Sequence, residues 1–365
     1  MPVRRAAMTS DAVETPVERS ADRGTMQSPK RVAKFAEEKA EIAYEIIKSL
    51  MVTKTFPQEI YYGPNSEGYK STWERIVKAA EEYNDPGRFT ALIGYEWTST
   101  LDGKNLHRNV LYRDGGEKAL QVMPYTTTPP LGSPDPMELW KWMARYEKQT
   151  GGKVLALAHN GNVSNGLMFP MDAQYTGRKL DKTYVEQRSK WEPLYEVTQI
   201  KGDGEAHPFL SPNDEFADYE TWDKANLNGT ELKKPEMLRW EYTREALKTG
   251  LMLEQELGIN PFKFGMVGST DSHTSLSTAE EENFFGKHSG VEPEPHRWEH
   301  LVIEAPDPNL SIYGWQQAAS GYAAVWATEN TREAIFDAMQ RKETYATTGS
   351  RITVRFFGGW EFEET

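Results

Sequence analysis

The stretch FKFGMVGSTDSHT, residues 262–274, decides how this sequence is read. Its apolar run from Phe262 to Val267 has the composition of a buried strand, and it empties into Gly268-Ser269-Thr270-Asp271-Ser272-His273-Thr274. A carboxylate and an imidazole one residue apart are costly to bury without partners. A metal ion is one frequent partner, so the question becomes whether other strand ends supply further ligands.

On both sides of this stretch, strand patterns alternate with helical ones. A helical pattern begins at Pro29, with Val32, Phe35, Ala36, Ala40, Ile42, Ala43, Ile46 and Ile47 near one face. Ser71 with Glu74 predicts a capping box. The helix it opens carries Trp73, Ile76, Val77, Ala80 and Tyr83 and stops at Asn84-Asp85-Pro86-Gly87. Strands are expected over 89–99 and 105–113, joined by a turn at Asp102-Gly103. Asp135 as N-cap and Pro136 behind it predict a helix that ends at Gly151-Gly152. Buried strands are expected at KVLALAHN (153–160) and LYEVTQIKG (194–202), then a long helix over 236–257. After the opening stretch come the strand YAAVWATE (322–329) and a helix capped by Asn330 with Glu333. This alternation predicts an α/β architecture with a largely parallel sheet. Residues 1–30 lack periodicity and are expected to be disordered, leaving 31–365 as a single domain. Insertions are expected at 114–134, 203–235 and 274–310, long enough to be functional.

The 365 residues can bury a full core. A formal charge of −13 argues against nucleic acid and anionic lipid as partners, since both favour basic surface. With no cysteine, disulfides, thiolate nucleophiles and Cys-type zinc sites are excluded. No apolar run is long enough for a membrane span, and the N-terminus has no apolar core of a secretory signal. The compartment stays open, since a cysteine-free chain suits either redox poise, with the cytoplasm the expectation for the chain as it stands.

Seven histidines fall at 107, 159, 207, 273, 288, 296 and 300. Glu96 closes one predicted strand, His107 lies in NLHRN, His159 ends KVLALAHN, and Asp271 and His273 follow the opening run. Reactive groups gather at strand carboxyl ends in parallel α/β folds, so these five are expected on one rim. Mixed His, Asp and Glu ligands suit zinc, manganese or iron and leave positions for water and substrate. HRWEH (296–300) matches an inverted zinc-peptidase pattern, but that pattern needs a helix. Here Pro293 and Pro295 precede it and a strand-like LVIE follows, so a solvated loop is expected. Lys201, Arg108 and Arg351 are candidates for an anionic substrate group, and His207 for a supporting role. Phosphate-loop, nucleophile-elbow and dinucleotide-binding patterns are absent. Most of the eleven tryptophans are expected in the core, Trp73, Trp140 and Trp326 among them.

RFTALIGYEWTS, NLHRNVLYRD, LALAHNGN, EVTQIKGDGE, GSTDSHT, SGYAAVWATENTREAIFDAMQRKETYATTGSRI and RFFGGW together resemble a large bacterial family catalogued as a domain of unknown function. That family is similar to the PHP (polymerase and histidinol phosphatase) metal-dependent phosphoesterases. The resemblance spans roughly residues 70–362 and implies a distorted β/α barrel with two or three metals at its strand ends. It makes Glu96, His107, His159, Asp271 and His273 the metal ligands, Asp271 and His273 the catalytic pair, and Asn160 and Glu196 their supports. Relatives are expected to open with a His-x-His strand and a second strand ending in Asp-His, yet the first histidine here is His107. The chain is therefore expected to be a truncated member, lacking the first two barrel strands and cut after FFGGW. Relatives often carry an export signal.

The expected function is a metal-dependent hydrolase of phosphoester type, using one to three divalent ions and a small-molecule substrate. The alternatives are an inactive remnant of such an enzyme, or a carbohydrate-active or carbohydrate-binding protein built on the tryptophans.

Overall fold

A computed structural model describes residues 66–273, 287, 295–317 and 321–359. The helix expected from Pro29, the disorder expected over 1–30, His288 and most of the 274–294 loop lie outside the described residues. The framework is a six-stranded sheet. Its strands are β1 (Ile93–Trp97), β4 (Arg108–Tyr112), β5 (Val154–Ala158), β6 (Leu194–Gln199), β7 (Gly202–Asp203) and β8 (Gly265–Gly268). A small hairpin of β2 (Thr100–Leu101) and β3 (Lys104–Asn105) links β1 to β4 through the Asp102-Gly103 turn, where both residues have positive φ.

The fold is mixed α/β with an open sheet, and the expectation of largely parallel pairing is corrected. β5–β6 and β6–β8 are parallel, whereas β1–β4, β4–β5 and β6–β7 are antiparallel. The cause lies in the connections: β1 reaches β4 through ten residues with no crossover helix, which permits only the antiparallel return.

β5 explains why the central strands read as continuous apolar runs. Its five residues are all buried, and they alternate between two cores. Val154, Ala156 and Ala158 face a core with Trp73, Trp140, Met143 and Tyr146, whereas Leu155 and Leu157 face Leu194, Val267, Phe336 and Met339. The first core is closed by α1 (Glu67–Glu82), α3 (Pro136–Thr150) and α4 (Lys182–Trp191). The short α2 (Gly116–Ala119) lies in the 114–134 segment. α7 (Arg332–Gln340) covers the other face. A hairpin of β11 (Tyr322–Val325) and β12 (Thr344–Thr347) flanks β8. It comes so close that a Cβ on Gly268 would lie 2.8 Å from the Thr347 carbonyl.

α3 begins and ends where expected: the Asp135 side chain accepts from Met137 N, and Gly151 closes the helix at φ 66°. Three other boundaries differ. α1 is capped by Ser66, whose hydroxyl accepts from Tyr69 N, so Ser71 lies inside the helix and donates back to the Gly68 carbonyl. α7 is capped by Thr331, because the Asn330 side chain instead accepts from Thr90 Oγ1 at 2.7 Å. The expected helix over 236–257 is broken into α5 (Pro235–Leu238) and α6 (Thr243–Leu257). The break turns Glu241 inward, where Lys233 Nζ meets both its oxygens at 2.6 and 2.8 Å. Trp73 and Trp140 are core residues, but Trp326 is only half-buried, against Tyr345 and the Arg355 guanidinium. The remaining strands, β9 (Leu301–Ile303) and β10 (Ile312–Tyr313), form a separate pair.

Candidate metal centre

Sheet register brings the predicted ligands to one rim. Trp97 pairs with Arg108, Arg108 with Ala158, and Ala158 with Tyr195. Glu96 near the end of β1, His107 just before β4, His159 just after β5 and Glu196 on β6 therefore lie side by side. His107 sits at the amino end of its strand. It reaches the rim only because β4 runs against both neighbours.

Glu96 is the hub. His107 Nδ1 lies 2.8 Å from Glu96 Oε1, and His159 Nε2 lies 2.9 Å from the same oxygen. An ionised carboxylate only accepts, so His107 carries its proton on Nδ1 and its Nε2 takes a hydrogen bond from Thr100 Oγ1 at 2.8 Å. The two imidazoles meet edge to face, with centroids 5.5 Å apart. Asp271 and His273 also come within reach of Glu96. Two sets emerge in which each residue offers one ligand atom and those atoms lie within 4.8 Å of one another. They are Glu96–His107–His159 and Glu96–Asp271–His273, so the carboxylate is common to both.

Electrostatics follow from burial and proximity. Burial pushes the Glu96 carboxyl upward, but the hydrogen bonds and charges of His107 and His159 outweigh it and hold the pKa well below the usual carboxylate range. Burial takes His107 down to about 4 despite Glu96. His273 also falls to about 4, through burial and then the charges of Lys287 and Lys201. Both imidazoles are thus neutral at neutral pH, the form a metal needs. Lys201 lies well below its ordinary value through burial and the nearby Lys287, and burial takes Lys287 down to about 8.

The donor set fits a divalent cation. Among the described residues, Nδ1 of the buried His159 has no hydrogen-bond partner, and neither do Asn160 Oδ1 or Glu196 Oε1. Three orphaned polar atoms on adjacent strand ends are unusual, because buried polar groups are normally satisfied. The backbone is also strained there: Asn160 and Asp271 hold φ of 51° and 52°. Gly161 must follow Asn160, since a Cβ would lie 2.4 Å from the Glu241 carbonyl and 2.6 Å from the Tyr195 hydroxyl.

The other candidates are placed elsewhere. Arg108 Nε donates to Glu192 Oε1 at 2.9 Å deep in the core, beside Arg188 and Trp140. His207 Nε2 lies 3.0 Å from Asp223 Oδ2 and its ring packs on Tyr242. Arg351 lies over the Tyr322 ring. HRWEH forms only a three-residue 3-10 turn, Arg297–Glu299, and neither of its histidines joins a ligand group among the described residues. Lys201 is buried rather than at the surface, and its Nζ pairs with Asp271 Oδ2. Nothing in the sequence marked Lys287, whose Nζ lies 2.7 Å from the same oxygen, or Gln199, whose Nε2 lies 2.8 Å from it. Ser269, which donates to Glu196 Oε2, was equally unmarked. Glu192 did leave a signal: an acid at a helix C-terminus opposes the helix dipole and implies a cationic partner.

An open mixed sheet with imidazoles and carboxylates converging at one edge defines an α/β protein with a candidate metal site. No curated protein and no solved structure matches the chain. It belongs to the family described as "Protein of unknown function (DUF3604)", whose profile matches residues 6–365. Among the described residues, no helix is long and apolar enough to cross a membrane.

Proposed function

We propose that this protein is a metal-dependent hydrolase of phosphoester type, with a small-molecule substrate and zinc, manganese or iron as the ion. The observation that carries this is Glu96 standing in both ligand groups, as a carboxylate shared between two ions would. The resemblance of GYEWTS, LALAHN and GSTDSHT to a family that is similar to the PHP phosphoesterases supports the reaction class.

His107, His159 and Glu96 would hold one ion, and Glu96, Asp271 and His273 a second. Divalent ions in such a set supply Lewis acidity that brings water's ionisation toward neutral pH and offsets charge on phosphoryl oxygens. The chain's own residues do the rest. Thr100 fixes the His107 ring through its Nε2. Glu196, steadied by Ser269, and Asn160 offer unsatisfied oxygens that orient ligands or accept a water proton. Glu96 and His273 form the open side, with side chains 27 % and 48 % exposed, so substrate enters past them.

Manganese- or zinc-loaded protein assayed on p-nitrophenyl phosphate, with bound metal counted in parallel, tests the proposal. Asp271→Ala is expected to lose an ion and turnover together. Full activity in that variant contradicts it. A carbohydrate-binding surface is a second proposal, drawing on Trp298 and Trp315, both more than half exposed in the 295–317 segment. Glycan binding that ignores chelators would favour it.

A further inference from the structure

Asp271 Oδ2 is crowded by cationic and amide donors. Gln199 Nε2 donates to it at 2.8 Å, Lys287 Nζ lies 2.7 Å away, and Lys201 Nζ is in direct contact. One carboxylate oxygen cannot satisfy three nitrogen donors that carry at least six N–H bonds between them. Both lysine side chains are more than nine-tenths buried, so solvent does not take up the surplus. Buried lysine nitrogens with spare donors call for an acceptor.

We propose that Lys201 and Lys287 form an oxyanion clamp for a doubly charged phosphoryl group, so that the substrate is a phosphomonoester rather than a diester. The charge count makes the distinction, and it rests on the metal-centre function proposed above. Glu96, Glu196 and Asp271 bring three negative charges, which two divalent ions exceed by one before any lysine charge is added. A monoester dianion with three terminal oxygens offsets such an excess and can reach both ions and a lysine nitrogen, whereas a diester brings one negative charge and only two such oxygens. Lys201 follows β6, the strand that carries Glu196, and Lys287 also donates to the Asp271 carbonyl. The clamp is thus tied to the second ligand group through Asp271.

Calorimetric titration of the full chain with inorganic phosphate and with dimethyl phosphate tests the clamp, with bound metal counted in every sample. Phosphate is expected to bind at least about tenfold more tightly than dimethyl phosphate. Lys201→Met and Lys287→Met are each expected to weaken phosphate binding by about tenfold or more at unchanged metal content, and Lys201→Arg to retain most of it. Unchanged phosphate affinity in a folded Lys287→Met protein overturns the proposal even if Lys201→Met fails to fold. Equal affinity for the two probes overturns it as well. If the wild-type chain holds no metal, the hydrolase proposal fails separately. Lysine-dependent phosphate binding in that metal-free chain would still support the clamp, and its absence would end it.

Discussion

The two ligand groups that share Glu96 are built on different foundations. Glu96, His107 and His159 stand on β1, β4 and β5, whose packing fixes both imidazoles. Below them Arg108 and Arg188 compensate a buried carboxylate, Glu192, which they hold below its ordinary pKa against the opposing effect of burial. Asp271 and His273 follow β8, where His273 is half exposed and Asp271 already carries two ammonium groups. A buried acid elsewhere on the sheet, Asp203 on β7, accepts from the backbone N–H groups of Glu205 and Ala206, and burial raises it to about 6. A closed, preorganised half thus adjoins an open half that is ready to exchange its partners. The contrast matches one ion held for structure and another at which substrate arrives.

Removing what the halves share should have the largest effect. Glu96→Ala is expected to abolish metal retention in both groups and all turnover, and elemental analysis showing one ion retained would give the halves independent sites. Next in size is the foundation of the closed half. Glu192→Ala leaves two guanidinium groups buried without their acid and should cost about 3–5 kcal/mol in urea unfolding. A loss near zero would erase the contrast in rigidity.

Asp203, buried on β7 outside both groups, offers a test through pH. Its folded pKa, about 6, lies above the ordinary 3.8, so it favours folding below pH 3.8 and that contribution fades as pH rises through 6. The whole effect amounts to about 3 kcal/mol. Asp203→Asn should therefore gain stability over wild type by roughly that amount between pH 4 and 6, measured as the difference between two unfolding series. A constant difference would mean that burial does not perturb Asp203. The smallest effect is expected from Asn160→Gly, which keeps the left-handed backbone and removes only the amide. Metal affinity should fall by about 10- to 100-fold if Asn160 supports His159, and stay level if it does not.

Much of this was legible in the sequence because it is local. The all-buried β5 appears as an apolar run, and Asp135, Pro136 and Gly151 mark both ends of α3. Four residues named from their places near strand ends converge around a fifth, the Glu96 carboxylate. What escaped depends on partners far apart along the chain. Lys287 meets Asp271 from 16 residues away and Gln199 from 72. The break before α6 follows from a buried ion pair, and the antiparallel placement of β4 follows from a link without a helix. Ser71 misled because its spacing to Glu74 fits a capping box, whereas the helix is capped five residues earlier by the Ser66 hydroxyl without one.

The most direct test is anomalous diffraction from crystals of the full chain grown with zinc. A peak about 2.0–2.2 Å from a Glu96 oxygen and from nitrogens of His107 and His159 is the expected result, with a second peak between Glu96, Asp271 and His273. Zinc confined to surface carboxylates, with none between these imidazoles, would contradict it.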